Sequence, residues 1–353
     1  MSTCTIYYPG LLGPGVPLEE LDSAEWPIAD QTEHLCKLLA NSSTKNTKSL
    51  DRASIDSRIM ASLGISLSEE AELPVAYFRS VNQGMTSQSM WCLDPVHIQI
   101  DRDEAVLIAN ESLALNKDEA FQLIDDINKH FELDGLKVYY HNEYQWLLTG
   151  DIAVNTFPLS DVIYRNMNDH QPSGIDAIKW QKIINEVQML LHEHPVNEKR
   201  AHQGLIAVNS LWIWGGGKLA EHNAQIDLVY ANESLVADIA KVISVPHERL
   251  PAYLDSNHFR DKDTLMVITD QMHAVKQKDV FAWFKYLHLF DKEVLAPLFE
   301  FLQQGILNEL ILNSDTVSIT FTKKELKKKF WQILQKKCSL ETSIIKLRKQ
   351  YDH

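Results

Sequence analysis

Short apolar segments alternate with amphipathic helical segments along the whole chain. CTIYY at 4–8, LWIW at 211–214 and TLMVI at 264–268 have the length of β-strands, and stretches with helical spacing of apolar residues separate them. This alternation is typical of α/β proteins, in which helices pack on a parallel or mixed sheet. With 353 residues, 45% of them hydrophobic, the chain can bury one large core or two smaller ones.

A small α+β unit is predicted in the first half of the chain. We interpret AYFRSVN, residues 76–82, as a strand, and VHIQIDRDEAVLIA, residues 96–109, as strand because its apolar side chains alternate. Residues 136–150 predict two further strands, joined by a turn at His141 and Asn142.

The segment NKDEAFQLIDDINKHF between these strands predicts a helix. Asn116 is a good capping residue for its start. Its inward-facing residues are expected to be Phe121, Ile124, Ile127 and Phe131. The whole pattern predicts three parts: a discontinuous α/β core at residues 1–74 and 171–330, an inserted α+β domain at 75–170, and a basic C-terminal tail helix at 331–353.

Charge, cysteines and hydropathy exclude several classes of function. The net charge is −14, yet residues 320–353 contain ten Lys or Arg against three Asp or Glu, so the rest of the chain is strongly acidic. An acidic body argues against a nucleic-acid partner. No uncharged apolar run of about 18 residues and no signal-peptide pattern occur, which argues against a membrane partner. The four scattered cysteines indicate reduced thiols, and the expected location is the cytoplasm.

The basic tail has two interpretations. Its apolar residues at helical spacing favour a solvated helix that packs against the acidic body of the same chain. Alternatively, it is an arm that binds an acidic protein partner.

The most unusual side chains gather in LLHEHPVNEKRAHQGLIAVNSLWIWGGG, residues 190–217. Pro195 interrupts a helix, and His194, Asn197 and Arg200 form a polar cluster around it. An arginine fork binds phosphate or carboxylate through two hydrogen bonds, and His and Asn can orient such a ligand. The same side chains could instead lock the connection between helix and strand, with Pro195 ending one helix and Asn197 capping the next. Both interpretations stay open.

Three segments together resemble the archaeal-type, cofactor-independent phosphoglycerate mutases. HPVNEKR, with the later VN and GGG, resembles that family's HPVNxxR, PAN and RGAG motifs; AYFRSVN resembles AFRxN; and VYYHNEYQWLL resembles SYRHLL. The similarity is best over residues 75–217. It implies an alkaline-phosphatase-like three-layer core with a mixed sheet and an inserted substrate domain, two divalent metals such as manganese, and phosphoryl transfer through a serine. By motif match it implies these substrate-binding residues: Arg79, Asn82, His194, Asn197, Arg200 and Asn209.

The catalytic residues that the resemblance implies are largely absent. Tyr8 and Pro9 stand where the family has a metal-binding Asp-Gly turn, and Ile55 stands at the serine position, with Ser54 beside it as the candidate nucleophile. Gln145, Trp146 and Trp214 replace side chains of the family's substrate motifs, two of them arginines. The remaining candidate metal ligands are Asp270, His273 and Asp315, because carboxylates and imidazole suit divalent metals.

Three functions follow as hypotheses. The first is a pseudo-enzyme without metal cofactors that binds a small phosphorylated or carboxylated metabolite or has a regulatory role. The second is an active, metal-dependent phosphomutase or phosphatase that acts on a small phosphorylated acid such as phosphoglycerate. The third is a structural or assembly protein.

Overall fold

The computed structural model describes residues 2–18, 21, 31–41, 43–46, 54–68, 72–85, 89–101, 104–219, 221–323 and 340–351. The strands in these ranges are β1 (Thr3–Tyr7), β2 (Ser43–Asn46), β3 (Met90–Asp101), β4 (Glu104–Ala109), β5 (Lys137–Asn142), β6 (Gln145–Thr149), β7 (Ser210–Trp214), β8 (Leu228–Ala231), β9 (His247–Glu248), β10 (Thr264–Val267), β11 (Glu309–Asn313) and β12 (Val317–Thr322). The α-helices are α1 (Glu33–Asn41), α2 (Ile55–Ser62), α3 (Val75–Asn82), α4 (Lys117–Phe131), α5 (Leu159–Val162), α6 (Ala177–His192), α7 (Pro195–His202), α8 (Ser234–Val242), α9 (Met272–Lys276), α10 (Val280–Leu289), α11 (Ala296–Gln304) and α12 (Leu340–Tyr351).

The chain forms two compact units. The core unit comprises residues 1–65 and 222–353, and the inserted unit comprises residues 66–221. The predicted insertion of 75–170 was too short. Helices α6 and α7 and strand β7 belong to the inserted unit, because β7 pairs antiparallel with β3, from Cys92 opposite Trp214 to Val96 opposite Ser210.

The core unit is built on a mixed, seven-stranded sheet with the order β2-β12-β11-β1-β10-β8-β9. Strand β1 lies at its centre, parallel to both β10 and β11. β12 and β2 extend the sheet in antiparallel fashion. The α/β core predicted from the alternation of segments, and the mixed sheet that the resemblance implies, are therefore confirmed. The parallel strands β1, β8, β10 and β11 bring their carboxyl ends to one edge of this sheet.

Helix α12, at the end of the basic tail, packs on the core unit. Leu340, Ile344 and Leu347 recur at helical spacing and are buried in the same apolar cluster as β1 and α11. Residues 324–339, which carry most of the lysines of residues 320–353, lie outside the described ranges, as do residues 352 and 353.

The inserted unit contains a five-stranded antiparallel sheet. The strand order is β4-β3-β6-β5, and β7 pairs with β3. Asn116 caps the start of α4 as predicted, because Asn116 and Glu119 form a reciprocal capping box. Ile124, Ile127 and Phe131 are buried, but Phe121 is 46% exposed and stacks on Tyr140 instead, so its predicted inward position was wrong.

Two local predictions in this unit were also wrong. Residues 75–82 form helix α3, not a strand, and Val75, Phe78 and Arg79 are buried at helical spacing. A short apolar segment is compatible with both the helical and the strand periodicity of apolar residues. Pro74, at the start of α3, favours the helix. The β5–β6 turn lies at residues 143–144, where the Asn142 side chain accepts a hydrogen bond from the Tyr144 amide.

In the parts of the chain that the structure describes, no helix has both the length and the apolar character needed to span a bilayer.

Candidate functional site

Arg79 lies in the interior of the inserted unit and binds an internal carboxylate. Its guanidinium donates two hydrogen bonds to Asp94, Nη1 to Oδ1 at 2.7 Å and Nη2 to Oδ2 at 3.1 Å. Asp94 also accepts bonds from the Trp146 amide at 3.0 Å and from the Trp214 indole at 2.8 Å. The resemblance assigned the Arg79 guanidinium to a substrate anion, but in the structure it binds the Asp94 carboxylate of the same chain.

Arg200 on α7 is fully buried and is also bound within the chain. Its Nη1 donates to Glu119 at 2.7 Å, and its Nε and Nη2 donate to the Ile206 carbonyl at 2.9 and 2.7 Å. The carbonyls of Leu113 and Ala114 accept further bonds from the same guanidinium. These bonds join α7 to the start of α4 and to the segment before β7.

His194 and Asn197 organise the same region. The His194 Nδ1 accepts a bond from the Val196 amide at 3.1 Å, so His194, and not Asn197, caps α7. Because Nδ1 accepts, Nε2 carries the proton and donates to Asp126 at 3.0 Å. The Asn197 amide group donates to two backbone carbonyls and its oxygen accepts from the Val208 amide at 2.9 Å.

Asn209 continues the pairing of β7 with β3, because its side chain bonds both the amide and the carbonyl of Ile98 at 2.7 and 3.0 Å. Asn82 is the last residue of α3. Arg79, His194, Asn197, Arg200 and Asn209 thus all form hydrogen bonds within the inserted unit, as the structural interpretation of this motif expects.

The second candidate location is the carboxyl edge of the parallel strands in the core unit. This edge is a common ligand site in α/β proteins. Tyr8 follows β1 there, is 1% exposed, and stacks on Phe290 with 4.1 Å between ring centroids. Burial raises the pKa of Tyr8 far above its ordinary value, so the phenol stays neutral. The centre of the edge is therefore aromatic and uncharged where the resemblance implies a metal-binding carboxylate.

Asp315 follows β11, and its carboxylate is bonded to the loop after β1. Oδ2 accepts a hydrogen bond from the Gly10 amide at 2.6 Å, and burial raises the pKa of the carboxyl. Gly10 has φ +68°, and a Cβ there would lie 2.8 Å from Val275, so the turn requires glycine. Arg58 of α2 donates to the Asp315 carbonyl. Asp315 thus fixes the loop after β1.

A cleft of about 350 Å³ lies between this loop and helix α12. Asp315 and Arg348 are among the residues that line it. Arg348 donates to the carbonyls of Leu12 and Val16, both at 2.8 Å, and to that of Pro14. The C-terminal helix therefore binds the same loop through Arg348.

The remaining predicted catalytic and metal-binding residues lie on different elements. Ser54 is 7% exposed and caps α2, with its hydroxyl accepting from the Ser57 amide at 3.1 Å. Asp270 lies exposed after β10, and His273 lies exposed on α9. Among the described residues, no group of three or more His, Cys, Asp or Glu side chains is placed to hold a metal ion.

Sequence reasoning missed Glu233, which lies two residues after the end of β8. Its Oε1 accepts a bond from Thr269, and its Oε2 is buried with no hydrogen-bond partner among the described residues. Burial, opposed by the Thr269 bond and assisted by the charge of Asp270, raises the pKa of Glu233. The buried Gln271 Oε1 likewise has no partner in the described part of the chain. The sequence signal that could have identified Glu233 and Gln271 is their position a few residues after buried strands.

The donor set fits a two-metal centre poorly. Two divalent cations need on the order of four to six ligands each, mostly carboxylate oxygens and imidazole nitrogens. At this edge Glu233 offers one unpartnered oxygen and Asp270 an exposed carboxylate, whereas the Asp315 carboxylate is bound to Gly10.

The structure defines an α/β protein with an inserted antiparallel unit. Residues 91–197 match the family model of the 2,3-bisphosphoglycerate-independent phosphoglycerate mutases. The mutase of Methanosarcina mazei is 22% identical over 54% of this chain and 54% of that protein, and that of Methanosarcina acetivorans is 27% identical over 41% and 40%. The chain thus spans about half the length of these relatives or less.

A solved structure shows the same overall fold. The PH0037 protein of Pyrococcus horikoshii matches 91% of this chain and 87% of its own, with a TM-score of 0.54 and 12% sequence identity.

Proposed function

We propose that this protein is a non-catalytic member of the mutase-like group, with a binding or regulatory role. The observation that carries the proposal is the end of β1, where Tyr8 is buried against Phe290. A buried phenol with a strongly raised pKa stays neutral and replaces the carboxylate that a metal at this position needs.

The internal partners of the two motif arginines support the same conclusion. A phosphate or carboxylate ligand needs cationic donors with free hydrogen-bonding capacity. Arg79 is matched by Asp94, and Arg200 by Glu119, and both pairs are almost completely buried. Binding an anion at either place would require separating a buried ion pair, which costs several kcal/mol, about 3–5.

One observation favours an active, metal-dependent phosphomutase or phosphatase as the second candidate. The Oε2 of Glu233 is buried without a partner in the described structure, and the charge of Asp270 acts on the same carboxyl. A single cation would satisfy this oxygen. In that case Ser54, at the start of α2, is the candidate nucleophile.

Metal content and mutase turnover distinguish the two candidates. The protein is purified without chelator, analysed for divalent metals, and assayed with 3-phosphoglycerate in added Mn²⁺ beside the Methanosarcina mazei mutase as a positive control. We expect no stoichiometric metal and no turnover above the blank. Turnover with bound metal that is lost in Glu233→Gln and Asp270→Ala, but kept in the exposed control Glu300→Ala, would refute the proposal.

A further inference from the structure

A separate pocket of about 230 Å³ lies in the inserted unit beside α6. Its walls come from α6, from strands β3 and β7, and from residues 167–172. Gln181, Asn185 and Gln188 recur along one side of α6 at helical spacing, so their side chains share a face of the helix. None of the mutase motif residues discussed above lines this pocket.

No side chain lining the pocket is charged, although 23% of the chain is. Helix α6 does carry charged residues, Lys179, Lys182 and Glu186, but none of them lines the pocket. A phosphate or carboxylate placed there would lose water without gaining a cation, which is strongly unfavourable. The pocket therefore selects against anions.

The side-chain amides of the pocket have two roles: two of them bond the pocket walls, and two are available to a ligand. Gln188 donates to the Ser210 hydroxyl at 3.1 Å, and Gln171 donates to the Met167 carbonyl at 3.1 Å, so these two amides fix the walls. Gln181 and Asn185 are exposed, and their side chains make no hydrogen bond to another residue in the described ranges. Each offers both a donor and an acceptor to a ligand.

The apolar part of the pocket is aromatic and firmly placed. Trp180 and Trp212 are 3% and 4% exposed, and the Trp212 indole donates to the Phe157 carbonyl at 3.0 Å. Ile178, which also lines the pocket, is 73% exposed. A ring that covered Ile178 would remove apolar surface from water, which is favourable.

We propose that this pocket binds an uncharged, planar heteroaromatic ring with an amide-like edge. Ile178, together with the small exposed parts of Trp180 and Trp212, supplies the apolar surface for the ring, while Gln181 and Asn185 supply hydrogen bonds to its polar edge. This site lies outside the core unit and does not depend on whether the core unit is catalytic.

Calorimetric titration with nicotinamide and nicotinate tests the proposal, because the two rings differ only in a neutral amide against a carboxylate. We expect nicotinamide to bind saturably and nicotinate at least about tenfold more weakly. Ala177→Phe, which fills the pocket, should abolish binding, and the exposed Gln181→Ala should weaken it by about threefold to tenfold. Lys179→Ala, on the same helix but outside the pocket, should leave it unchanged.

The outcomes are decisive because Gln181 is exposed and its replacement leaves the folded core intact. Saturable binding that is lost in the pocket variants and kept in Lys179→Ala supports the site. Absence of saturable binding for nicotinamide, adenine and caffeine up to about 10 mM, or equal binding of nicotinate, overturns it. Neither result bears on the metal and turnover measurements.

Discussion

Arg79 and Asp94 form a bidentate ion pair whose two side chains are only 4% and 1% exposed. The carboxylate occupies the position at which a bound anion would meet the guanidinium. An interaction that resembles ligand recognition in the sequence is thus part of the protein's own core.

Removing the arginine should show how much of the inserted unit depends on this pair. Arg79→Ala leaves the Asp94 carboxylate buried without its cation, and we expect a loss of about 3–5 kcal/mol in the free energy of unfolding. Arg79→Lys should also destabilise, since an ammonium cannot reproduce the two-pronged contact. Urea unfolding of both variants measures this. The exposed Arg165→Ala is the control, and a neutral result for Arg79→Ala would contradict a structural role for this ion pair.

Asn197 should tolerate no change in the direction of its hydrogen bonds. Its amide nitrogen donates to the carbonyls of Leu191 and Val208 at 2.8 and 2.7 Å. Asn197→Asp places a carboxylate oxygen against these carbonyls, whereas Asn197→Ala only deletes the bonds. We expect both to destabilise by about 2–4 kcal/mol or more, with Asp the worse. Equal stability of the Asp variant and the natural protein in thermal unfolding would exclude this geometry.

Because of the Glu72 carboxyl, we expect the free energy of unfolding to fall as pH rises. Burial raises the pKa of Glu72, opposed by hydrogen bonds from Thr156. The folded state then binds more protons than the unfolded state between the unfolded pKa of about 4.3 and the raised folded value. This contribution is fully present below about 4.3 and is lost as pH rises through the folded pKa.

Urea unfolding as a function of pH measures the Glu72 contribution. Glu72→Gln should lack the corresponding slope, and the exposed Glu132→Gln should keep it. Thr156→Val removes a hydrogen bond that lowers the pKa, so it should move the loss of stability to higher pH. A Glu72→Gln profile parallel to that of the natural protein would show that this carboxyl does not titrate as described.

The end of β1 should reject the carboxylate that the mutase resemblance implies. Tyr8→Phe keeps the stacking on Phe290 and should change stability by less than about 1 kcal/mol. Tyr8→Asp buries a charge in an aromatic setting and should cost at least about 3 kcal/mol. Chemical denaturation in the presence and absence of Mn²⁺ measures both effects. Full rescue of Tyr8→Asp by Mn²⁺ would mean that a metal centre is still latent at this edge.

Local signals in the sequence predicted the parts of the fold that depend on neighbouring residues. Strand β1 and the start of α4 at Asn116 follow from apolar patterning and capping. Helix α3 was missed because an eight-residue apolar segment satisfies two periodicities, and the buried face of Arg79 shows only in three dimensions.

The candidate site was less predictable because its meaning depends on partners. The sequence shows Arg200 in a ligand-binding motif, but Glu119, its carboxylate partner, lies 81 residues away. Strand pairing also set the domain boundary, since β7 joins β3 across more than a hundred residues. Such pairings are decided by tertiary packing and not by local propensity.

The Glu119 carboxylate has a further consequence for the dynamics of the inserted unit. Its Oε2 accepts hydrogen bonds from both the Asn116 amide, at the start of α4, and the Arg200 guanidinium on α7. Opening of α7 would therefore leave the first turn of α4 with an unpaired buried charge. Backbone amides in the two helices should exchange with solvent deuterium through one shared opening event, with closely similar protection.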